Sequence, residues 1–362
     1  MQNLLLISLD TVRADVAYSK KFPTINKLRS EGVTFLNTVS SSPLTPCSHT
    51  TVFTGLQPYN HGVRHLFRER LPKNIPTFTQ ALKQKGYKTK AIVSCPGMNK
   101  WYGFSKGFNS YDDEIPRLAD GSDPLKTVDV KKRGTALKRA KLVSEKAIEW
   151  LENNKKENFF LFIHFFDAHW PYEAPEKIMG DNPYEEEVGY MDHYLGKVIE
   201  YLKKNNLFDN TTIIAFSDHG EDLDGWYPND KGGSRLGHPE EMGHGCLLYQ
   251  QTQKVLLIIK DKNLPSNKNI KNQVRLVDVN PTIHDLMSLK QKQKKLDGVS
   301  ILPIIKGSSL NLIGYSETLY PEELAKNDPK FKKIKTKKSI IYNQTKLISD
   351  ISGNNTEVYD LN

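Results

Sequence analysis

The chain reads as an α/β protein: a mostly parallel, doubly wound sheet followed by a small antiparallel subdomain. Three observations predict this. Apolar strand-like runs alternate with amphipathic helical segments through the first two-thirds of the sequence. Two of those runs end in polar corners: Leu4–Leu9 leads into Asp10, and Thr211–Phe216 into Ser217-Asp218-His219-Gly220-Glu221. From Leu302 onward the character changes to short strands and turns.

The elements follow in order. Leu4–Leu9 is the first strand, and Ile75–Gly86 a helix that a glycine terminates. Lys90–Ser94 is the next strand. Ile115–Lys138, polar and charged, reads as an excursion or lid over the site. Ala140–Leu151 offers Leu142, Ala147, Ile148 and Leu151 to the sheet, and Phe159–Phe165 is a further strand. Val188, Met191, Leu195, Val198 and Leu202 form one stripe at helical spacing over Val188–Leu202. Thr211–Phe216 and Val255–Ile259 complete the candidate strands, with the Gly-, Asp- and Pro-rich loop Gly220–Glu241 between them. Ser339–Tyr342, Lys346–Ile348 and Glu357–Tyr359, separated by Asn-Gln-Thr and Ser-Gly-Asn-Asn, predict an antiparallel meander. The expected organisation is a catalytic domain over residues 1–300 and a small C-terminal antiparallel subdomain over 301–362.

At 362 residues the chain suits one large α/β domain with an appendage. No apolar run approaches the roughly 20 residues that span a bilayer. The longest, Phe159–Phe166, contains His164 and stops at Asp167. No basic leader precedes Leu4, so that stretch reads as a strand and not as a cleaved signal. Cys47, Cys95 and Cys246 lie far apart with no paired spacing, so neither a disulfide framework nor a zinc cluster is implied, and a reduced, cytoplasmic location is the expectation. The net charge of +9 is partly regional, with a dense run over Lys126–Lys146. A positive field speeds the encounter with an anionic substrate. No nucleic-acid recognition motif accompanies it, and no nucleic-acid partner is expected.

In open α/β sheets ligands bind beyond the carboxyl ends of the strands. Asp10, Asp218 and His219 stand at two such ends, a donor set suited to a divalent ion. A single strand-end Asp is more often a helix cap; two favour the ion.

Further motifs carry a resemblance. Asp10-Thr-Val-Arg-Ala-Asp15, Thr45-Pro-Cys-Ser-His-Thr-Thr-Val-Phe-Thr54-Gly55, Phe166-Asp-Ala-His-Trp-Pro-Tyr172 and Ser217–Glu221 occur in that order. Tyr190-Met-Asp192 with Gly196, Gly243-His-Gly245 leading to Tyr249, Asp297–Leu302 and Tyr359-Asp-Leu361 complete the set. Together they resemble the sulfatase family of the alkaline phosphatase superfamily over nearly the whole length. The resemblance implies an α/β/α sandwich and a metal-dependent hydrolase or transferase of phosphate, phosphonate or sulfate esters, acting through a covalent intermediate.

Sulfatases of this family oxidise a cysteine in a Cys-x-Pro-x-Arg context to formylglycine. Cys47 lacks both the proline and the arginine, since Ser48, His49, Thr50 and Thr51 follow it. The family's nucleophile stands nine positions before the threonine of the Thr-Gly pair, which here gives Thr45. The context resembles the Thr-x-Pro-Ser-His variant seen in phosphoethanolamine transferase domains. A threonine has no second hydroxyl with which to expel sulfate, whereas a phosphothreonine is resolved by in-line attack at phosphorus. Thr45 therefore argues for phosphate or phosphonate esters. The alternatives are a formylglycine sulfatase using Cys47, and a non-catalytic binder of an anionic polymer.

The resemblance assigns a divalent metal, zinc or manganese ahead of calcium, to Asp10, Thr45, Asp218 and His219. It gives His169 and His244 catalytic roles on the phosphoryl group or leaving group, or a second metal with Asp167. Arg64 and His49 are expected at the substrate, an anionic ester that is glycan- or lipid-linked. Arg13 is expected in a salt bridge, His164 as a satisfied core histidine, and His61 and His238 as weaker candidates.

Overall fold

The structure, a computed structural model, describes residues 2–117, 120–123, 126, 138–223, 243–290, 295–327, 332 and 335–361. The strands are β1 (Asn3–Leu9), β2 (Val33–Phe35), β3 (Thr38–Val39), β4 (Lys88–Ile92), β5 (Ser110–Asp112), β6 (Phe159–Phe165), β7 (Thr211–Phe216) and β8 (Lys254–Val255). Then come β9 (Leu257–Lys260), β10 (Lys268–Ile270), β11 (Val274–Arg275), β12 (Gly314–Thr318), β13 (Lys337–Tyr342), β14 (Thr345–Asp350) and β15 (Thr356–Asp360). They divide between two compact units. One holds residues 1–34, 77–217 and 256–269; the other holds 35–76, 218–255 and 270–362.

The first unit is built on the eight-stranded sheet β10-β2-β9-β7-β1-β6-β4-β5. β1 runs parallel to both β6 and β7, and β4 and β5 continue the parallel run. β9 joins β7 antiparallel. Every residue of β1, β6 and β7 is buried, as mostly apolar runs require when a parallel sheet is covered on both faces. Helices Ala140–Asn154 and Pro183–Lys204 pack on each other, and the former packs on β6 and β4.

The second unit carries helix Thr45–Thr54, the small sheet β11-β3-β8 and the four-stranded antiparallel sheet β12-β13-β14-β15. The expected α/β class, with a large mostly parallel sheet and a small antiparallel one near the C-terminus, is what forms. The meander pairs in sequential order, β13 with β14 and β14 with β15.

Several boundaries differ from the sequence reading for local reasons. The helix expected over Ile75–Gly86 forms only over Phe78–Gln84. Pro76 keeps Ile75 out of the helical region, and Thr77 closes a capping box with Gln80. The helix expected from Val188 starts at Pro183, because the Asn182 side chain accepts from Glu185 N at 3.0 Å and proline suits the first turn. The run Val255–Ile259 breaks at Leu256, which trades hydrogen bonds with Ser217: its N–H donates to Ser217 Oγ at 2.9 Å, and its carbonyl accepts from Ser217 N at 3.1 Å. Most of Ile115–Lys138 and of Gly220–Glu241 lies outside the described residues.

Candidate active site

In the first unit, Asp10 follows β1 directly, and its N–H continues the pairing to Phe165 O at 2.9 Å. Its carboxylate is fully buried and accepts at Oδ2 from His164 Nε2 at 3.0 Å. The expected core histidine is thus satisfied by Asp10 itself. Sequence reasoning missed that pairing, although a polar residue inside an otherwise apolar strand must find a partner. Cys95 stands near this pair; Asp10, Cys95 and His164 each bring a potential ligand atom within 4.8 Å of the others.

Asp167 is committed elsewhere. Its Oδ1 accepts from Ala140 N at 3.0 Å and lies 3.1 Å from Arg139 Nε, so it caps helix Ala140–Asn154 within an ion pair. Glu187 also bonds Arg139, and burial pushes its carboxyl up to about 8. A carboxylate already paired with a buried guanidinium is a poor candidate for the second metal expected from Asp167, His169 and His244. His169 stacks on Phe166, ring centroids 4.2 Å apart, and its Nδ1 donates to Trp170 O at 2.6 Å. Arg13 forms the expected salt bridge, to Asp15 at 2.8 Å.

The second unit assembles the remaining residues. Thr45 is the first residue of a ten-residue helix, preceded by extended Leu44 and followed by Pro46. The helix ends on Gly55, whose φ of 70° is the left-handed turn that glycine accepts without strain. No acidic side chain occupies the first turn, so the helix presents its partial positive charge at Thr45. Thr45 Oγ1 lies 3.4 Å from His219 Nε2. Asp218 Oδ2 lies 3.4 Å from the same nitrogen and 3.5 Å from His49 Nδ1. His49 Nδ1 also donates to Thr45 O at 2.8 Å, tying the expected substrate-side histidine to the helix start.

The corner carrying Asp218 and His219 is held on several sides. Ser40 and Ser48 hydroxyls donate to Asp218 O at 2.5 and 2.8 Å, and Gly220 N donates to Thr252 O at 2.9 Å. A Cβ at Gly220 would stand 1.9 Å from Gln251 O, so only glycine permits that approach. An isolated bridge between Asp222 and Gly243 returns the chain to this corner. It sets the His244 ring 4.1 Å from that of His219.

Hydrogen bonds choose the tautomers. His219 Nδ1 donates to Gly220 O at 3.0 Å, and His244 Nδ1 to Glu221 Oε1 at 2.9 Å. Both rings then carry their lone pair on Nε2. Burial, reinforced by His219, holds His244 well below the usual imidazole range and keeps it neutral. Glu221 was read only as part of a motif; the structure gives it a position behind His244.

The donor chemistry fits a divalent ion. The Asp218 carboxylate, the His219 Nε2 lone pair and the Thr45 hydroxyl converge within a buried region. Their spacing is that of neighbouring ligands around an ion bound at about 2.1 Å. Two acceptors facing each other in a dry site repel, and a cation between them removes the repulsion.

The other expected residues are occupied elsewhere. Arg64 forms a two-point salt bridge with Glu317 at 2.6 and 2.9 Å and stays partly exposed. His61 bonds Thr51 Oγ1 at 3.1 Å, and burial lowers its pKa to about 3, so it is a neutral core histidine. His238 lies outside the described residues. Cys47 is fully buried against Leu44, Val63 and Tyr320, and burial pushes its thiol well above the usual range.

Comparison with known proteins bears on the family and the fold. A family model described as "Sulfatase" matches residues 2–289. Arylsulfatase K of Rattus norvegicus is 21% identical over 374 residues, covering 85% of this chain and 63% of its own length. The chain thus spans under two-thirds of that relative. Among solved structures, phosphonate monoester hydrolase of Agrobacterium radiobacter superposes with a TM-score of 0.74 at 18% identity, covering 100% of this chain and 89% of that one. Ps i-CgsB in complex with k-i-k-neocarrahexaose gives 0.75 at 20% identity, covering 99% and 86%.

Proposed function

The chain belongs to the sulfatase family, and on that premise we propose that it is a metal-dependent hydrolase of phosphate or phosphonate esters, with unmodified Thr45 as nucleophile. The observation that carries this reading is the contrast between Thr45 and Cys47. Two residues apart on a helix, their side chains point about 200° apart around its axis. Thr45 faces the imidazole of His219, while Cys47 is packed into an apolar cluster with Leu44 and Val63.

We propose that Asp10, Thr45, Asp218 and His219 hold the divalent ion. That set is the one the family resemblance implies; Asp10 directly follows β1, and Asp218 comes two residues after the end of β7. When bound, such an ion lowers the pKa of a coordinated hydroxyl and offsets charge on the ester oxygens. Zinc or manganese suits the imidazole and carboxylate donors better than calcium.

The protein groups then have distinct tasks. The helix start at Thr45 favours an anionic oxygen beside its N–H groups. Oγ1 of Thr45 attacks phosphorus, forming a phosphothreonine as the ester oxygen leaves. His244 and His169, each with its proton on Nδ1, carry a lone pair on Nε2 and serve as bases: one takes the Thr45 hydroxyl proton and then returns it to the leaving oxygen. Water attack at phosphorus then frees Thr45. Sulfate on threonine has no comparable exit, which sets the preference for phosphorus.

Hydrolysis of an aryl phosphodiester, an aryl phosphonate ester and an aryl sulfate by the manganese- or zinc-loaded protein tests the reading. The phosphorus esters are expected to react faster. Thr45→Ala should lower kcat by at least about 10³-fold, on the scale of removing a nucleophile, while Cys47→Ala stays within a few-fold of wild type. The opposite pattern, or a Cys47 peptide with the mass of an aldehyde, would replace this reading with a formylglycine sulfatase.

A further inference from the structure

We infer that His164 is a positioning residue that holds the Asp10 carboxylate in the orientation an ion requires. The inference rests on the reading of Asp10 as an ion ligand and assigns the group behind it.

His164 is the only polar residue in β6, Phe159-Phe-Leu-Phe-Ile-His-Phe165, and it is fully buried. A buried imidazole is costly unless its nitrogens are satisfied, and here both are. Ser94 N donates to Nδ1 at 3.3 Å, while the Ser94 hydroxyl donates to the His164 carbonyl. Because Nδ1 accepts, the proton resides on Nε2, which donates to Asp10 Oδ2 at 3.0 Å. The rings of Phe162 and Phe166 flank the imidazole at 6.5 and 6.3 Å between centroids and limit its rotation.

This tautomer is the reverse of that at His169, His219 and His244, where Nδ1 donates and Nε2 carries the lone pair. His164 therefore acts as a donor to a carboxylate. The same reasoning excludes the trio Asp10, Cys95 and His164 as an ion site, since the His164 lone pair faces the Ser94 N–H. A carboxylate with one oxygen fixed by a rigid donor pays less entropy to bind an ion, and groups that orient ligands in this way typically change ion affinity 10- to 100-fold when removed.

The test measures manganese binding by titration calorimetry on the full chain for wild type, His164→Leu, His164→Gln and Asp10→Ala, with melting in chelator to report folding. His164→Leu should raise the manganese Kd by about 10- to 100-fold. His164→Gln, whose amide nitrogen reaches the position of Nε2, should restore it to within a few-fold of wild type. An unchanged Kd in His164→Leu with a weakened one in Asp10→Ala overturns the role of His164 alone. An unchanged Kd in Asp10→Ala overturns the metal assignment and this inference with it. If His164→Leu does not fold, His164→Asn, whose shorter amide cannot reach Asp10, takes its place: a Kd raised in His164→Asn but not in His164→Gln supports the inference, and equal, wild-type Kd values in both overturn it.

Discussion

Which nitrogen of a site histidine holds the proton is dictated by one neighbouring group, adjacent in sequence for His169 and His219 but distant for His164 and His244. Glu221 lies 23 residues before His244, yet their side chains meet at 2.9 Å. A carboxylate behind an imidazole fixes its tautomer and raises its basicity. Glu221→Gln keeps an acceptor but removes the charge, and kcat should fall by about 10- to 100-fold at saturating ion, with a smaller change in KM. Steady-state kinetics check this, and an unchanged kcat would remove Glu221 from the machinery. At this scale the motifs nominate Asp10, Thr45, Asp218, His219, His169 and His244, because their types and spacing are local. They did not reveal that Asp167 is held by Arg139, or that Asp10 is held by His164. Those pairings are made across 28 and 154 positions, and only the folded sheet brings them together.

Elements were legible where one physical signal dominated. The buried strands β6 and β7 begin and end where their apolar runs do, whereas helix starts moved by several residues because Asn182 and Thr77 act through single hydrogen bonds. In the C-terminal sheet, turn residues between short runs placed the strands but gave no warning of Lys346. This residue points inward from β14, is 1% exposed, and bonds Gln250 Oε1 at 3.0 Å. Burial lowers its pKa to about 7. The folded state therefore binds fewer protons at Lys346 than the unfolded state between about pH 7 and the ordinary lysine value, and stability from this group rises with pH across that window. Lys346→Met should stabilise the protein at pH 7 by up to about 4 kcal/mol, an upper bound from the shift, with the advantage shrinking toward pH 10. Urea unfolding of both proteins at several pH values measures it. A difference that does not change with pH would show that Lys346 keeps its ordinary lysine pKa in the folded state.

For the whole molecule the property most legible in sequence is charge. A chain of net charge +9 carries 51 basic against 42 acidic side chains, part of the excess in the run Lys126–Lys146. A field of that sign draws anionic esters in before any contact is made, and salt screens it over about 8 to 10 Å at physiological ionic strength. The chemical step within a buried site is screened far less. It follows that kcat/KM should fall several-fold as potassium chloride is raised from about 20 to about 200 mM, more steeply for a dianionic ester than for a monoanionic one, while kcat at saturation hardly moves. Lys332, Lys335 and Lys338 are exposed and outside the proposed machinery. Their joint replacement by glutamine should flatten the salt slope without lowering kcat. A slope that is flat in the wild type, or equal for the two substrate charges, would mean that the positive surface does not steer the substrate and that capture depends on the site residues alone.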